Sequence, residues 1–68
     1  MPIIEVNLIE GRSLEVKRRI ITALTDATIE AAGVRREDVR IIIRDIPPEN
    51  FAVGGAQKYP AAQGREST

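Results

Sequence analysis

Residues 2–9 read Pro-Ile-Ile-Glu-Val-Asn-Leu-Ile, and this stretch decides how the chain folds. It is rich in β-branched residues, which favour an extended strand. Pro2 is compatible with a strand because at the first position a missing N–H removes no essential ladder bond. The sequence therefore predicts a first strand over residues 2–9. In that strand one face carries Ile4, Val6 and Leu8, and the other carries Ile3, Glu5, Asn7 and Ile9.

A helix is predicted directly after this strand. Residues 10–12 form a turn, and Ser13 is a typical N-cap with Glu15 in the first helical turn. Apolar residues then recur at helical spacing until Gly33, which is a typical C-terminal stop. The pattern predicts a helix from Leu14 to Ala32. The charged residues expected on its solvent side are Lys17, Arg18, Asp26 and Glu30.

A second strand is predicted over residues 39–45, Val-Arg-Ile-Ile-Ile-Arg-Asp. A strand, a helix and a strand at this spacing predict a βαβ unit with parallel strands. Residues 47–50 predict a turn, and residues 51–53 a short strand or hairpin arm before two glycines. We therefore expect an α+β subunit with two parallel strands, one helix and a short C-terminal hairpin or arm. The domain is expected to span residues 1–55, followed by a polar tail or oligomerisation arm over residues 56–68.

Length and composition predict that this subunit assembles with others. The chain has 68 residues and no Cys, so it holds one domain without disulfides. Two strands and one helix cannot close a core, because the helix covers only one face of the sheet. The uncovered face would keep Ile3, Ile9 and Ile42 beside polar groups, which predicts an oligomer.

The composition also excludes several classes of function. Ten basic and ten acidic residues give no net charge, which argues against a nucleic-acid binder. Without His or Cys, we expect no metal, haem or iron–sulfur site and no other cofactor, and His- or Cys-based catalytic triads are excluded. Neither a membrane span nor a signal peptide is recognisable, so we expect no membrane partner and a cytoplasmic location.

Pro2 is the first candidate for chemistry. A small second residue generally permits removal of Met1, which would leave a secondary amine on a rigid ring at the strand's start. Partial burial and nearby positive charge both lower the pKa of an α-amine, which is ordinarily 7.7–8.0. A neutral amine near pH 7 is a competent general base. The alternative is that Pro2 has no function, since proline is common at this position.

Three further residues are candidates for ligand binding. Arg12 lies in the turn before the helix, and Arg40 projects from the second strand away from the helix face. An Arg fork suits carboxylate ligands, although an interface ion pair of Arg40 with Glu5 or Asp45 is an alternative. Phe51 is the only Phe, and it is either a core residue or the apolar wall of a pocket.

These residues together resemble the 4-oxalocrotonate tautomerase family, a short-chain branch of the tautomerase superfamily. The resemblance covers residues 2 to about 55. It depends on the set of motifs and their spacing rather than on any one motif. The matching stretches are Met1-Pro2-Ile3-Ile4, Glu10-Gly11-Arg12-Ser13, Val39-Arg40-Ile41-Ile42-Ile43 and the run from Pro47 to Gly55.

The resemblance implies an isomerase that forms a homohexamer and interconverts enol and keto forms of small 2-hydroxy-dienoates such as 2-hydroxymuconate, in aromatic hydrocarbon catabolism. By this analogy Pro2 is the general acid and base, and it needs no cofactor. Arg40 would hold the carboxylate near the reacting end, and Arg12 of another subunit would hold the remote carboxylate. Phe51 would line the site.

Two departures and two alternatives accompany this interpretation. Dehalogenases of the family carry an added Arg near the end of the first strand and an acid after the aromatic residue. Here those positions are Ile9 and Val53, which disfavours a dehalogenase.

The alternatives are a non-catalytic oligomeric module of the same fold and a proline-based lyase or decarboxylase acting on keto acids. A trimer or dimer would also satisfy the composition argument.

Overall fold

The βαβ unit predicted from the sequence is present. The computed structural model describes residues 1–58. Strand β1 (Ile3–Ile9) is followed by helix α1 (Leu14–Ala32) and strand β2 (Arg40–Ile46). The two strands are parallel, with register running from Ile3 opposite Arg40 to Ile9 opposite Ile46. The α+β fold class is therefore confirmed, and the strand limits differ from the prediction by one residue.

Helix α1 has the predicted limits because both of its ends are capped as the sequence indicated. The Ser13 hydroxyl accepts a hydrogen bond from the Val16 N–H at 3.2 Å. Gly33 has φ 68°, a left-handed conformation that favours glycine, and its N–H donates to the Ile29 carbonyl at 3.0 Å. These caps satisfy backbone groups that a helix otherwise leaves unpaired at its ends.

The sheet has one covered and one open face. The half-buried residues of the two strands include Ile4, Val6, Leu8, Ile41 and Ile43, which alternate as predicted. The intervening residues are exposed and form what we call the open face, with Ile3 59% and Ile42 40% exposed. The members of the open face are Ile3, Glu5, Asn7, Arg40, Ile42 and Arg44.

Residues 1–58 of a single copy do not build a hydrophobic core. Within residues 1–58 no hydrophobic side chain is fully buried, and Thr25 of α1 is the only buried residue, at 8% exposure. The helix shields the inner face of the sheet only partly. Residues 1–58 of one copy therefore bury less apolar surface than a stable domain usually does.

The segment after β2 forms a 3₁₀ turn and a small hairpin. The predicted turn at residues 47–50 is the 3₁₀ helix Pro48–Asn50. Strands β3 (Ala52–Val53) and β4 (Ala56–Gln57) then pair in an antiparallel hairpin, with glycines at positive φ between them. All hairpin residues are exposed. The predicted tail begins at β4, and its remainder beyond Lys58 lies outside the described residues.

No helix within residues 1–58 is long and apolar enough to cross a membrane.

Candidate active site

Pro2 and Arg40 lie side by side at the amino-terminal edge of the sheet. The backbone N–H of Arg40 donates to the Pro2 carbonyl at 3.0 Å, one position ahead of the Ile3–Arg40 pair. Pro2 is half-buried. The parallel pairing of the strands therefore brings two of the four predicted site residues together, although they are 38 positions apart in the sequence.

The guanidinium of Arg40 is oriented by its own chain. Arg40 belongs to the open face, and its Nη1 donates to the Glu37 carbonyl at 2.7 Å. It forms no ion pair with Glu5 or Asp45 in the described chain, because those carboxylates bind Arg44 at 3.0 Å and Lys17 at 2.6 Å. Arg40 thus keeps most of its donors available to a ligand or a neighbouring subunit.

Arg12 lies in the short connection between β1 and α1. Gly11 has φ 123°, a conformation that L side chains rarely adopt, and Ser13 caps the helix on the other side. Arg12 is exposed and forms no hydrogen bond or ion pair with any described residue. A free guanidinium on a short, anchored loop is suited to bind a carboxylate from outside the chain.

Arg12 and Pro2 are at opposite ends of the same strand. The six residue steps of β1 span about 20 Å at roughly 3.3 Å per residue. Because β1 and β2 are parallel, Pro2 and Arg40 share the amino-terminal edge, whereas Arg12 follows the carboxyl end of β1. One copy of the chain therefore does not combine Pro2 with its own Arg12.

Phe51 is not a core residue of the subunit. It follows the 3₁₀ turn, its N–H donates to the Pro48 carbonyl at 3.1 Å, and its ring side chain is 37% exposed. Val53, two residues on, is 63% exposed. This segment therefore presents an apolar surface beyond the carboxyl end of β2, which leaves the pocket-wall interpretation of Phe51 open.

The structure also shows side-chain contacts that sequence reasoning missed. Lys17 was expected in solvent, yet its side chain is only 25% exposed and binds Asp45 at the end of β2. The signal was present in the strand pattern, because Asp45 continues the helix-facing alternation of Ile41 and Ile43. A carboxylate on that face lies within reach of cationic side chains of α1.

Two other surface features are separate from these residues. An open groove on the outer face of α1 is lined by Glu15, Arg18, Asp26 and their neighbours, and contains none of the four predicted site residues. Within residues 1–58, no group of three or more His, Cys, Asp or Glu side chains could hold a metal ion.

Comparison with known proteins identifies the family. A model of the family described as "Tautomerase enzyme" matches residues 2–59. A probable tautomerase of Ralstonia nicotianae is 43% identical over 63 residues, covering 93% of this chain and 90% of that protein. A 2-hydroxymuconate tautomerase of Comamonas testosteroni is 40% identical over 55 residues, covering 81% of this chain and 87% of that protein.

A solved structure has the same fold. The heterohexamer 4-oxalocrotonate tautomerase of Chloroflexus aurantiacus superposes with a TM-score of 0.82 at 36% identity, covering 85% of this chain and 94% of that chain. Matched sequence, matched fold and nearly complete mutual coverage agree with the resemblance noted from the motifs. The chain therefore belongs to the tautomerase family, in its 4-oxalocrotonate tautomerase group, and is an isomerase.

Proposed function

We propose that this protein is a cofactor-independent tautomerase that converts small 2-hydroxy-dienoates, or the related 2-keto acids, between their enol and keto forms. The ring nitrogen of Pro2, freed by removal of Met1, is the general acid and base. Arg40, Arg12 and Phe51 bind the substrate. A dienoate of this kind is a product of aromatic ring cleavage, which puts the reaction in aromatic catabolism in the cytoplasm.

The proton transfer needs only one group. The neutral Pro2 amine accepts the proton of the 2-hydroxyl as the enol collapses to a ketone, and the resulting ammonium returns that proton to a carbon along the conjugated chain. No atom is gained or lost. The half-burial of Pro2 favours the neutral amine, because desolvation lowers the pKa of an amine, and an Arg side chain brought beside the nitrogen in the proposed site would act in the same direction.

The two arginines divide the recognition of a dicarboxylate. Arg40 binds the carboxylate and the oxygen next to the reacting carbon. Arg12 binds the remote carboxylate and draws electron density towards that end, which stabilises the charge that develops in the transition state. Phe51 lines the pocket and lowers the local dielectric, and its partly exposed ring is available for that role.

The site requires more than one subunit, and we propose a homohexamer. The distance between Pro2 and Arg12 in one chain supports a shared site. The absence of a buried hydrophobic side chain within residues 1–58 supports an oligomer. The C. aurantiacus relative is a heterohexamer. In this proposal residues 1–55 form the tautomerase domain and residues 56–68 a polar tail or an oligomerisation arm.

The observation that carries the proposal is the pairing of Pro2 with Arg40 at the free amino-terminal edge of the sheet. The test is ketonisation of 2-hydroxymuconate and phenylenolpyruvate, followed by ultraviolet absorbance, in wild type and Pro2→Ala. We expect kcat/KM to fall about a hundredfold or more in the variant, since general acid–base catalysis contributes on the order of 10²–10⁴. Intact-mass measurement must show that Met1 is absent from the active protein.

A second variant removes the free amine of Pro2 without changing any side chain, and serves as a control for Pro2→Ala. Protein with one extra residue before Pro2 has an amide in place of the amine, and we expect it to lose activity like Pro2→Ala while forming the same oligomer. A halopyruvate should label the Pro2 nitrogen only in the processed protein. Equal rates for wild type and Pro2→Ala, or activity in the extended chain, would disprove the mechanism. An oligomer without activity or labelling would identify a non-catalytic module.

A further inference from the structure

We propose that Lys17 and Asp45 are positioning residues that hold the Arg12 loop in the geometry needed to bind the remote carboxylate of a dicarboxylate substrate. This inference rests on the proposed function, because it acts through the role of Arg12 in that reaction. It assigns a purpose to the charged pair on the covered side of the sheet, which the proposed chemistry does not otherwise use.

The first anchor of the loop is at its strand end. The backbone N–H of Glu10 donates to the carbonyl of Ile46 at 2.9 Å, so the parallel pairing continues one residue beyond β1. This bond fixes the point at which the chain leaves the sheet. Gly11 then turns the chain with φ 123°.

The second anchor is at the helix end. The N–H of Lys17 donates to the Ser13 carbonyl at 3.1 Å, and the Lys17 ammonium binds a carboxylate oxygen of Asp45 at 2.6 Å. The side chains are 25% and 39% exposed, so water screens this pair less than a fully exposed one. The pair therefore ties the first turn of α1 to the carboxyl end of β2.

The two anchors use consecutive residues of one strand. Asp45 holds the helix side of the loop and Ile46 holds the strand side. Only residues 11–13 lie between Glu10, which is bonded to β2, and the first residue of α1. Arg12 is the middle residue of that short span. Because the backbone is held on both sides of Arg12, binding a carboxylate costs less conformational entropy than it would on a flexible loop.

If the pair only stabilised the fold, its loss would not affect carboxylate recognition specifically. A second ion pair of the same helix provides a comparison, although its side chains are more exposed, at 62% and 56%. Asp26 of α1 pairs with Arg36 at 2.6 Å, the same length as the Lys17–Asp45 pair. That second pair ties the carboxyl-terminal half of α1 to the 3₁₀ turn Arg36–Asp38, far from Arg12 in the chain. Its loss should affect stability without affecting carboxylate recognition.

The test is the double variant Lys17→Met/Asp45→Asn in the full chain, which removes both charges and leaves the net charge unchanged. We expect KM for the dicarboxylate 2-hydroxymuconate to rise about two- to fivefold, the size expected for a partly exposed pair, with kcat nearly unchanged. KM for the monocarboxylate phenylenolpyruvate should not change. Lys17→Arg, which keeps the pair, and Asp26→Asn/Arg36→Met, which removes the other one, should both keep the wild-type KM for each substrate.

Each other outcome overturns the inference. Unchanged KM for 2-hydroxymuconate in the Lys17/Asp45 variant, or an equal rise for both substrates, would show that the pair does not act through Arg12. A similar rise in the Asp26/Arg36 variant would show a general effect of helix docking. If wild type ketonised neither substrate, the proposed function would fail as well. Sedimentation of each variant checks that its assembly matches that of wild type.

Discussion

At the scale of the residue, the two candidate arginines differ in how the chain holds them. Arg40 projects from a strand and donates to the Glu37 carbonyl at 2.7 Å. Arg12 has no partner among the described residues, and its position depends on the backbone around it. A carboxylate that binds Arg12 therefore breaks no side-chain contact with residues 1–58. The two residues should therefore contribute separately to recognition of the two ends of a substrate.

Replacement of Arg12 should impair the reaction of a dicarboxylate substrate more than that of a monocarboxylate substrate. In Arg12→Ala we expect KM for 2-hydroxymuconate to rise about tenfold or more, because a hydrogen bond to a charged group contributes about 1.5–3 kcal/mol. Activity on phenylenolpyruvate should stay close to that of wild type, whereas Arg40→Ala should impair both substrates. Steady-state kinetics with each substrate measures this, and Arg18→Ala on the outer face of α1 is the control. An equal loss on both substrates in Arg12→Ala would contradict the assignment.

At the scale of the element, α1 owes its limits to local signals at both ends. Ser13 and Gly33 satisfy backbone groups that would otherwise be unpaired, and neither needs a distant residue to do so. The amino-terminal cap, Ser13, directly follows Arg12, so the residue that caps the helix also ends the loop that carries Arg12.

Loss of this cap should cost stability. Ser13→Ala removes the acceptor for the Val16 N–H, and we expect the free energy of unfolding to fall by about 1 kcal/mol per subunit. Ser13→Asp should retain most of the stability, because a carboxylate caps the helix equally well and complements its dipole. Denaturant unfolding at one fixed protein concentration compares the three proteins. Equal stability of Ser13→Ala and wild type would show that the cap contributes nothing in the assembly.

At the scale of the whole molecule, residues 1–58 of one copy leave one face of the sheet uncovered. The open face combines exposed Ile3 and Ile42 with the Glu5–Arg44 pair at 3.0 Å. Contact between water and such an apolar surface is unfavourable. Burying the apolar surface in an interface lowers the free energy by about 25 cal/mol per Å². We therefore expect no monomer to persist at micromolar concentration.

A charge on the open face should break the assembly. Ile42→Asp buries a carboxylate in any interface that covers this face, and we expect sedimentation velocity at micromolar concentration to show smaller species and loss of activity. Ala23→Asp adds the same charge to the exposed side of α1 and should leave the oligomer intact. If the Ile42 variant sedimented like wild type, the open face would not be an interface.

Most of the fold could be predicted because its signals are local. The alternation in residues 2–9 and the caps at Ser13 and Gly33 act within a few residues, so they predicted β1 and α1 closely. Strand β2 begins at Arg40, one residue later than predicted, because Val39 is the C-cap of a 3₁₀ turn and donates its N–H to the Arg36 carbonyl at 3.1 Å. Lys17 was assigned to solvent because its partner, Asp45, is 28 residues away.

The sequence by itself determined the order of the elements, the faces of the strands and the family, because periodicity, caps and motif spacing are all written along the chain. Only the tertiary structure decided which candidates meet. Parallel pairing brought Pro2 beside Arg40 and put Arg12 at the other end of β1. The reason is that the amino-terminal ends of parallel strands lie at one edge of the sheet and their carboxyl-terminal ends at the opposite edge.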